Sequence, residues 1–457
     1  MGLLKNQYLS VRFYSITCVF SVVGLLCIWV LPNTIALRHI FLSIGFLSAL
    51  VIFVKSQFFS GRRLSEMLTI LLFALLVLWA LAHFIFFSLN PTLELSELKS
   101  IWVRALVASI IAIGLSITLR VYKDLQPYFF VALFTVSVIN LVTYLYLSYE
   151  KGNFLLPGDF VNEFIFKKIE AAFFGAITIA IACANIIFLM KEKIDIKKVI
   201  ALTVWFLGVA IAIISSVVAN TKNGVAIGLG LCALLGLTLM FKVISIQGKS
   251  KFSVIAPLFF VVLMLFGGWK VHNQFASQGW GTLIEDVQIS SRLDEHNFWR
   301  FNSHDWPKVT EETFPINSRG LPVAGNTYER VAWATKGLSL IVKYPMGYGS
   351  INHSFVGMLN HAGVKQELDS QTHSGWIDFG LAYGVPGLLI LSTLLFLILI
   401  KGLRSGDQFG LMSAWLVIGF IPFGVVAEIN YKHNFEILLF FIAFAAASTI
   451  RIKNFNP

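Results

Sequence analysis

The chain has 457 residues, of which 57% are hydrophobic and 13% charged, with a formal net charge of +11. Soluble globular chains carry about 25% charged residues. With a mean hydropathy of +0.78, the composition excludes a soluble enzyme, a disordered chain and a nucleic-acid-binding module. It leaves an all-α, polytopic membrane protein, in which excess Lys and Arg are retained in cytoplasmic loops.

A membrane-crossing helix needs about 20 apolar residues. Taken in chain order, hydropathy predicts twelve such spans, near 13–31, 35–54, 67–89, 101–119, 127–147, 171–190, 199–219, 223–241, 253–271, 379–400, 409–427 and 435–450. Lys5 and Arg12 precede the first without an A-x-A cleavage signal, so it reads as a retained span. Cys18, Cys27, Cys183 and Cys232 lie inside apolar runs and form no C-x-x-C, which suits small buried hydrophobes. No alternating ten-residue pattern appears, against a β-barrel.

With the N-terminus in the cytoplasm, alternate loops outside the largest one hold 18 basic residues, against six in the loops on the other side. That bias predicts cytoplasmic termini and an even number of spans. Residues 1–271 then form spans one to nine, 272–372 an external loop, and 373–457 spans ten to twelve. The loop has 101 residues, four tryptophans, and eight Lys or Arg against ten Asp or Glu. This reads as a folded cap, lying partly on the membrane, rather than a disordered linker. Within it, Tyr328 to Val342 reads as a helix whose apolar face is Val331, Ala334, Leu338 and Ile341, with Arg330 off that face. Tyr344-Pro345-Met346-Gly347-Tyr348-Gly349 ends it.

The sequence has no GxxxxGK[ST], HExxH or GxSxG. His83 sits within the third span, where a structural and a functional role are equally open. No acidic pair is expected deep in a span, against a proton-relay transporter. Arg38, Arg104, Lys222 and Arg330 fall at external membrane edges, against the orientation bias. Either they snorkel to headgroups or they form a cationic patch for a phosphate group. His373-Ser374 stands where the loop re-enters the membrane, and Gly384-Val385-Pro386-Gly387 can interrupt the helix three turns on. A histidine there suits a base working near neutral pH. His296 and His304, with Asp294, Glu295 and Asp305, match no standard metal spacing.

His373-Ser374, nine residues, Gly384, two residues and Gly387 resemble the motif H-[NSQ]-x9-G-x-x-[GTY] of bacterial O-antigen ligases. Arg330 with Trp333, then Pro345, Gly347 and Gly349, is similar to the segment preceding that motif. Twelve spans, cytoplasmic termini and a large loop between spans nine and ten are also similar. One departure is Thr221-Lys222-Asn223, where the family has a small polar residue and an arginine; lysine keeps the charge but loses the bidentate fork.

The resemblance implies a GT-C-like membrane fold in the bacterial inner membrane, its site facing the periplasm. It implies an inverting, metal-independent transfer of polysaccharide from undecaprenyl pyrophosphate to lipid A–core, with no cofactor. His373 would be the general base, Arg330 would serve catalysis and diphosphate binding, and Lys222, Arg38 and Arg104 would complete the diphosphate site. Expected partners are the lipid-linked O-antigen, lipid A–core and membrane lipids, and no nucleic acid. An O-antigen polymerase or a protein O-oligosaccharyltransferase would share the donor and differ in acceptor. A lipid-linked sugar transporter would need charged residues lining the bundle. A non-catalytic scaffold would make the His373 pattern accidental.

Overall fold

The computed structural model of the protein describes residues 2–58, 60–156, 168–191, 195–245, 282–300, 315–364, 371–428 and 433–450, with isolated residues between 255 and 270. Among them the regular structure is helical, apart from one β-bridge between Ile316 and Pro322. The helices are α1 Gly2–Ile28, α2 Ile35–Ser56, α3 Leu64–Phe86, α4 Pro91–Glu97, α5 Val103–Val121, α6 Gln126–Leu133, α7 Thr135–Glu150, α8 Lys168–Leu189, α9 Ile196–Val218 and α10 Lys222–Ser245. After them come α11 Leu283–Ser291, α12 Gly325–Lys343, α13 Ser354–His361, α14 Gly375–Ser405, α15 Gln408–Val426 and α16 His433–Ser448.

Ten helices among the described residues are long and apolar enough to cross a membrane, and α16 is a shorter apolar helix. The chain is a multi-pass membrane protein. Eleven of the twelve expected spans have a helical counterpart; the ninth, 253–271, falls partly outside the described residues. α16 is buried on every side from Asn434 to Ser448, and α8 almost as fully. A helix apolar all round is one surrounded by neighbours, so these two form the centre of the bundle. Small residues let the helices close up: a Cβ on Gly114 would stand 2.7 Å from that of Ala49.

The fourth span begins ten residues earlier than hydropathy suggests. Asn90 accepts from the Leu93 N–H, Pro91 takes the first turn, and a π-helical turn at Leu98–Trp102 leads into α5. The window misses this start because of Glu94 and Glu97, which are nevertheless buried. Glu94 meets Nδ1 of buried His83 at 2.9 Å, and the other ring nitrogen faces the Met346 carbonyl at 2.9 Å. Glu97 accepts from the Ser350 hydroxyl and from the N–H groups of Ile351 and Asn352. Each carboxylate therefore has partners that offset desolvation. His83 takes the structural role, tying α3 and α4 to the turn after α12.

α14 is interrupted at Gly384, with φ 69° and ψ −174°. Only glycine populates that region readily, and Pro386 just beyond has no N–H to give. The freed backbone groups bond to the 344–349 turn instead. Tyr348 and Gly349 donate to the carbonyls of Leu381 and Ala382, and Val385 donates to that of Pro345. The helix break read from Gly384 and Pro386 is thus present and stitched from outside.

A Cβ on Gly384 would lie 2.3 Å from the Pro345 carbonyl oxygen. Gly384→Ala should therefore lose at least about 2 kcal/mol of stability. Gly230→Ala, whose Cβ meets open space, should be near neutral. Thermal unfolding of both variants in detergent checks this.

Candidate active site

The site begins at the turn entering α14. His373 has φ 62°, a left-handed conformation uncommon for a residue with a side chain. Its neighbours hold it there. Asp378, fully buried, accepts from the Thr372 N–H and hydroxyl, each at 2.9 Å. Ser374 N–H donates to the Thr372 hydroxyl. The first turn of α14 is clipped to the end of α15, since Gly375 N–H donates to the Ala427 carbonyl and the Ser374 hydroxyl to that of Gly424.

The clip brings in a residue that the sequence reading missed. Nδ1 of His373 pairs with the Glu428 carboxylate. A carboxylate accepts, so Nδ1 is the donor and Nε2 is the ring nitrogen turned away from that pair. The ring lies flat on Trp333, with centroids 5.2 Å apart and planes at 15°. Trp333 is fixed by its own N–H to the Trp299 carbonyl at 2.8 Å. The imidazole is thus positioned by one charge and one aromatic face, and remains about one quarter exposed.

Arg330, three residues before Trp333 on α12, donates to the Val426 carbonyl. Burial pulls its pKa down, opposed by the nearby charges of Glu428 and Glu329. Asn223 donates to the same Val426 carbonyl at 3.0 Å, so the start of α10 joins the cluster. Thr221 donates to the Ser216 carbonyl, and Gly224 allows close packing, since a Cβ there would lie 2.8 Å from that of Ala172. Lys222 is exposed and makes no hydrogen bond or ion pair with the described residues. His373, Arg330 and the Lys222 turn, spread over 150 residues, therefore converge on the end of α15.

Arg38 and Arg104 form a second group, near Glu170 in the first turn of α8 and Glu436 in that of α16. Arg104 pairs with Glu436 at 2.6 Å. Arg38 donates to the Trp29 carbonyl at 3.2 Å and sits within electrostatic reach of Glu436, Arg104 and Glu170. His433 faces Glu170 at 2.5 Å. The four cations thus divide into two groups: Arg330 and Lys222 at the end of α15, Arg38 and Arg104 around Glu436.

The apolar face expected on α12 is displaced. Ile341 is buried as expected, but the other buried apolar side chains are Tyr328, Ala332, Trp333 and Leu340, while Leu338 is exposed. Together with Phe298, Trp299, Val323, Phe355, Met358, Leu359 and Leu381 they form a second hydrophobic core, separate from that of the bundle. His296 lies beside Phe298, whereas His304 and Asp305 lie outside the described residues. No group of three or more potential metal ligands occurs among the described residues. No known family profile matches the chain, and no curated protein matches it.

A histidine with positive φ holds about 1–3 kcal/mol of local strain. His373→Gly relieves it while losing the ring contacts, worth about 0.5–1.5 kcal/mol. That variant should unfold within about 1 kcal/mol of the parent. Asp378→Ala leaves the Thr372 donors unpaired and should lose about 1–3 kcal/mol. Denaturation in detergent micelles separates the two.

Proposed function

We propose that the protein is a glycosyltransferase that moves a glycan from a polyprenyl diphosphate to a hydroxyl acceptor, His373 being the general base. The observation that carries this reading is the Glu428–His373–Trp333 arrangement with Arg330 and the Lys222 turn gathered at one helix end. The resemblance of His373-Ser374 to Gly387 to the O-antigen ligase motif supplies the substrate class: undecaprenyl-pyrophosphate-linked O-antigen as donor, lipid A–core as acceptor. The site would face the periplasm across the bacterial inner membrane.

The chemistry follows from the groups present. Glu428 holds the Nδ1 proton, so Nε2 of His373 takes the proton of the acceptor hydroxyl. The acceptor oxygen forms a bond to the anomeric carbon as the bond to the diphosphate oxygen breaks, which inverts that carbon. Charge grows on the diphosphate, and fixed cations stabilise it. Lys222, exposed at the start of α10, is placed for that task, with the helix N-terminus adding positive potential. Arg330 stands next to Glu428 and supports both the base and the leaving group. Arg104, paired with Glu436, and Arg38, held on the Trp29 carbonyl, have the weaker claim to diphosphate contact.

Reconstitution with lipid-linked glycan tests the reading. His373→Ala and His373→Gln should both abolish transfer while donor binding persists. Lys222→Ala and Arg330→Ala should each slow it about 30- to 1000-fold, equivalent to about 2–4 kcal/mol, and Lys222→Arg should retain activity. A folded, donor-binding His373→Ala that still transfers glycan at the parental rate refutes the base assignment. Offering lipid A–core, a second lipid-linked glycan and a pilin-like protein side by side distinguishes ligase, polymerase and protein O-oligosaccharyltransferase.

The orientation has its own check. A cysteine replacing Ser318 should react with an impermeant thiol reagent in cells with a permeabilised outer membrane, while one replacing Ser405 should be protected. The reverse pattern inverts the topology and removes the ligase reading.

A further inference from the structure

The apolar stripe of α12 that does not pack on the protein needs a partner. Leu338 is 55% exposed and Val342 82% exposed, and Met346, in the turn just after the helix, is 41% exposed. Isolated exposed apolar residues are ordinary, but three gathered at one helix end beside a membrane span form a patch.

α12 runs beside α14 and in the same direction. A Cβ on Gly337 would meet Ile377 at 2.6 Å, one on Gly380 would meet Ile341 at 2.8 Å, and Gly384 lies against Pro345 and Met346. The paired levels descend together along the first two to three turns of α14. With 31 residues, α14 is about 46 Å long at 1.5 Å per residue, whereas the hydrocarbon core is about 30 Å thick. Lys401 and Arg404 mark its far end. Counting about 30 Å, or about 20 residues, back from Lys401 puts the opposite lipid boundary near Leu381, with Gly384 just inside it. Val385 and Leu389 below it face outward, as a lipid-facing surface should.

We propose that Val342 and Met346 enter the bilayer leaflet on the site's side and contact lipid acyl chains, with Leu338 at the headgroup level above them. Charge agrees with that occupant. Lys343 is exposed next to the stripe, 5.3 Å from the centre of the Tyr344 ring. A lysine and a tyrosine together at a helix end suit the headgroup level. The stripe is apolar only in its lower half, so immersion is graded, with Met346 and Val342 deeper than Leu338. The contact does not depend on the transfer chemistry.

The test uses single cysteines at Leu338, Val342 and Met346, with Arg319 on a distant turn of the cap as reference, in full-length protein whose four native cysteines are replaced. Each carries a bimane label and is reconstituted in phosphatidylethanolamine–phosphatidylglycerol vesicles containing nitroxide-acyl lipids. Thermal unfolding confirms that each labelled protein is folded. Quenching at positions 342 and 346 should exceed the Arg319 reference at least threefold, rise from position 338 to 342 and 346, and stay constant as the protein-to-lipid ratio changes. Quenching equal to the reference, or in the reverse order, overturns the proposal. So does quenching that disappears at high protein density, which would assign the stripe to a second copy of the chain.

Discussion

At membrane depth every backbone N–H and C=O must find a partner within the protein, and the break at Gly384 is where this requirement shapes the structure most. Interrupting α14 frees the carbonyls of Leu381 and Ala382 and the Val385 N–H, and the 344–349 turn takes up all three. Gly347 and Gly349, both at positive φ, let that turn approach closely enough. The turn is in turn held by Glu97 through Ser350, Ile351 and Asn352, and by His83 at Met346. One helix break thus accounts for the buried carboxylates, the early start of the fourth span and the docking of α12.

The same docking brings Trp333 and Arg330 to the turn at His373. α12 packs on α14 through Gly337 and Ile341, which fixes its height, and Trp333 is carried one turn above Gly337. The left-handed turn at His373 then aims the imidazole between Trp333 and Glu428. Packing in the cap core and polar satisfaction in the bundle meet at this residue. The site is held by two hydrophobic cores.

Hydropathy made the spans legible because burial in lipid and burial in a bundle reward the same side chains. It failed at α4, where Glu94 pairs with His83 on α3 and Glu97 accepts from Ser350, Ile351 and Asn352, partners that a hydropathy window cannot see. The 3.6-residue period correctly located α12 and placed Ile341 in its core, but it assigned exposed Leu338 to the same buried face. Val331, Leu338 and Val342 are as apolar as the true core positions, and periodicity does not say which partner a stripe meets. His373, Arg330 and Lys222 were legible as residues with unusual charge or position. Glu428 was not, because a single carboxylate after an apolar run has no local signature, and its importance arises only from the clip between α14 and α15.

The Val426 carbonyl accepts from Asn223 and from Arg330, 203 and 96 residues earlier in the chain. Membrane proteins are threaded into the bilayer from the N-terminus onward, so both donors are made long before their acceptor. Asn223 and Arg330 must stay hydrated until α15 has crossed, and only then can the two segments be drawn together. The first ten helices can pack as they are inserted, whereas this cluster can close only once α15 is in place. Biogenesis therefore has a late step, and a chain stalled before Val426 would possess most of its spans and no assembled site.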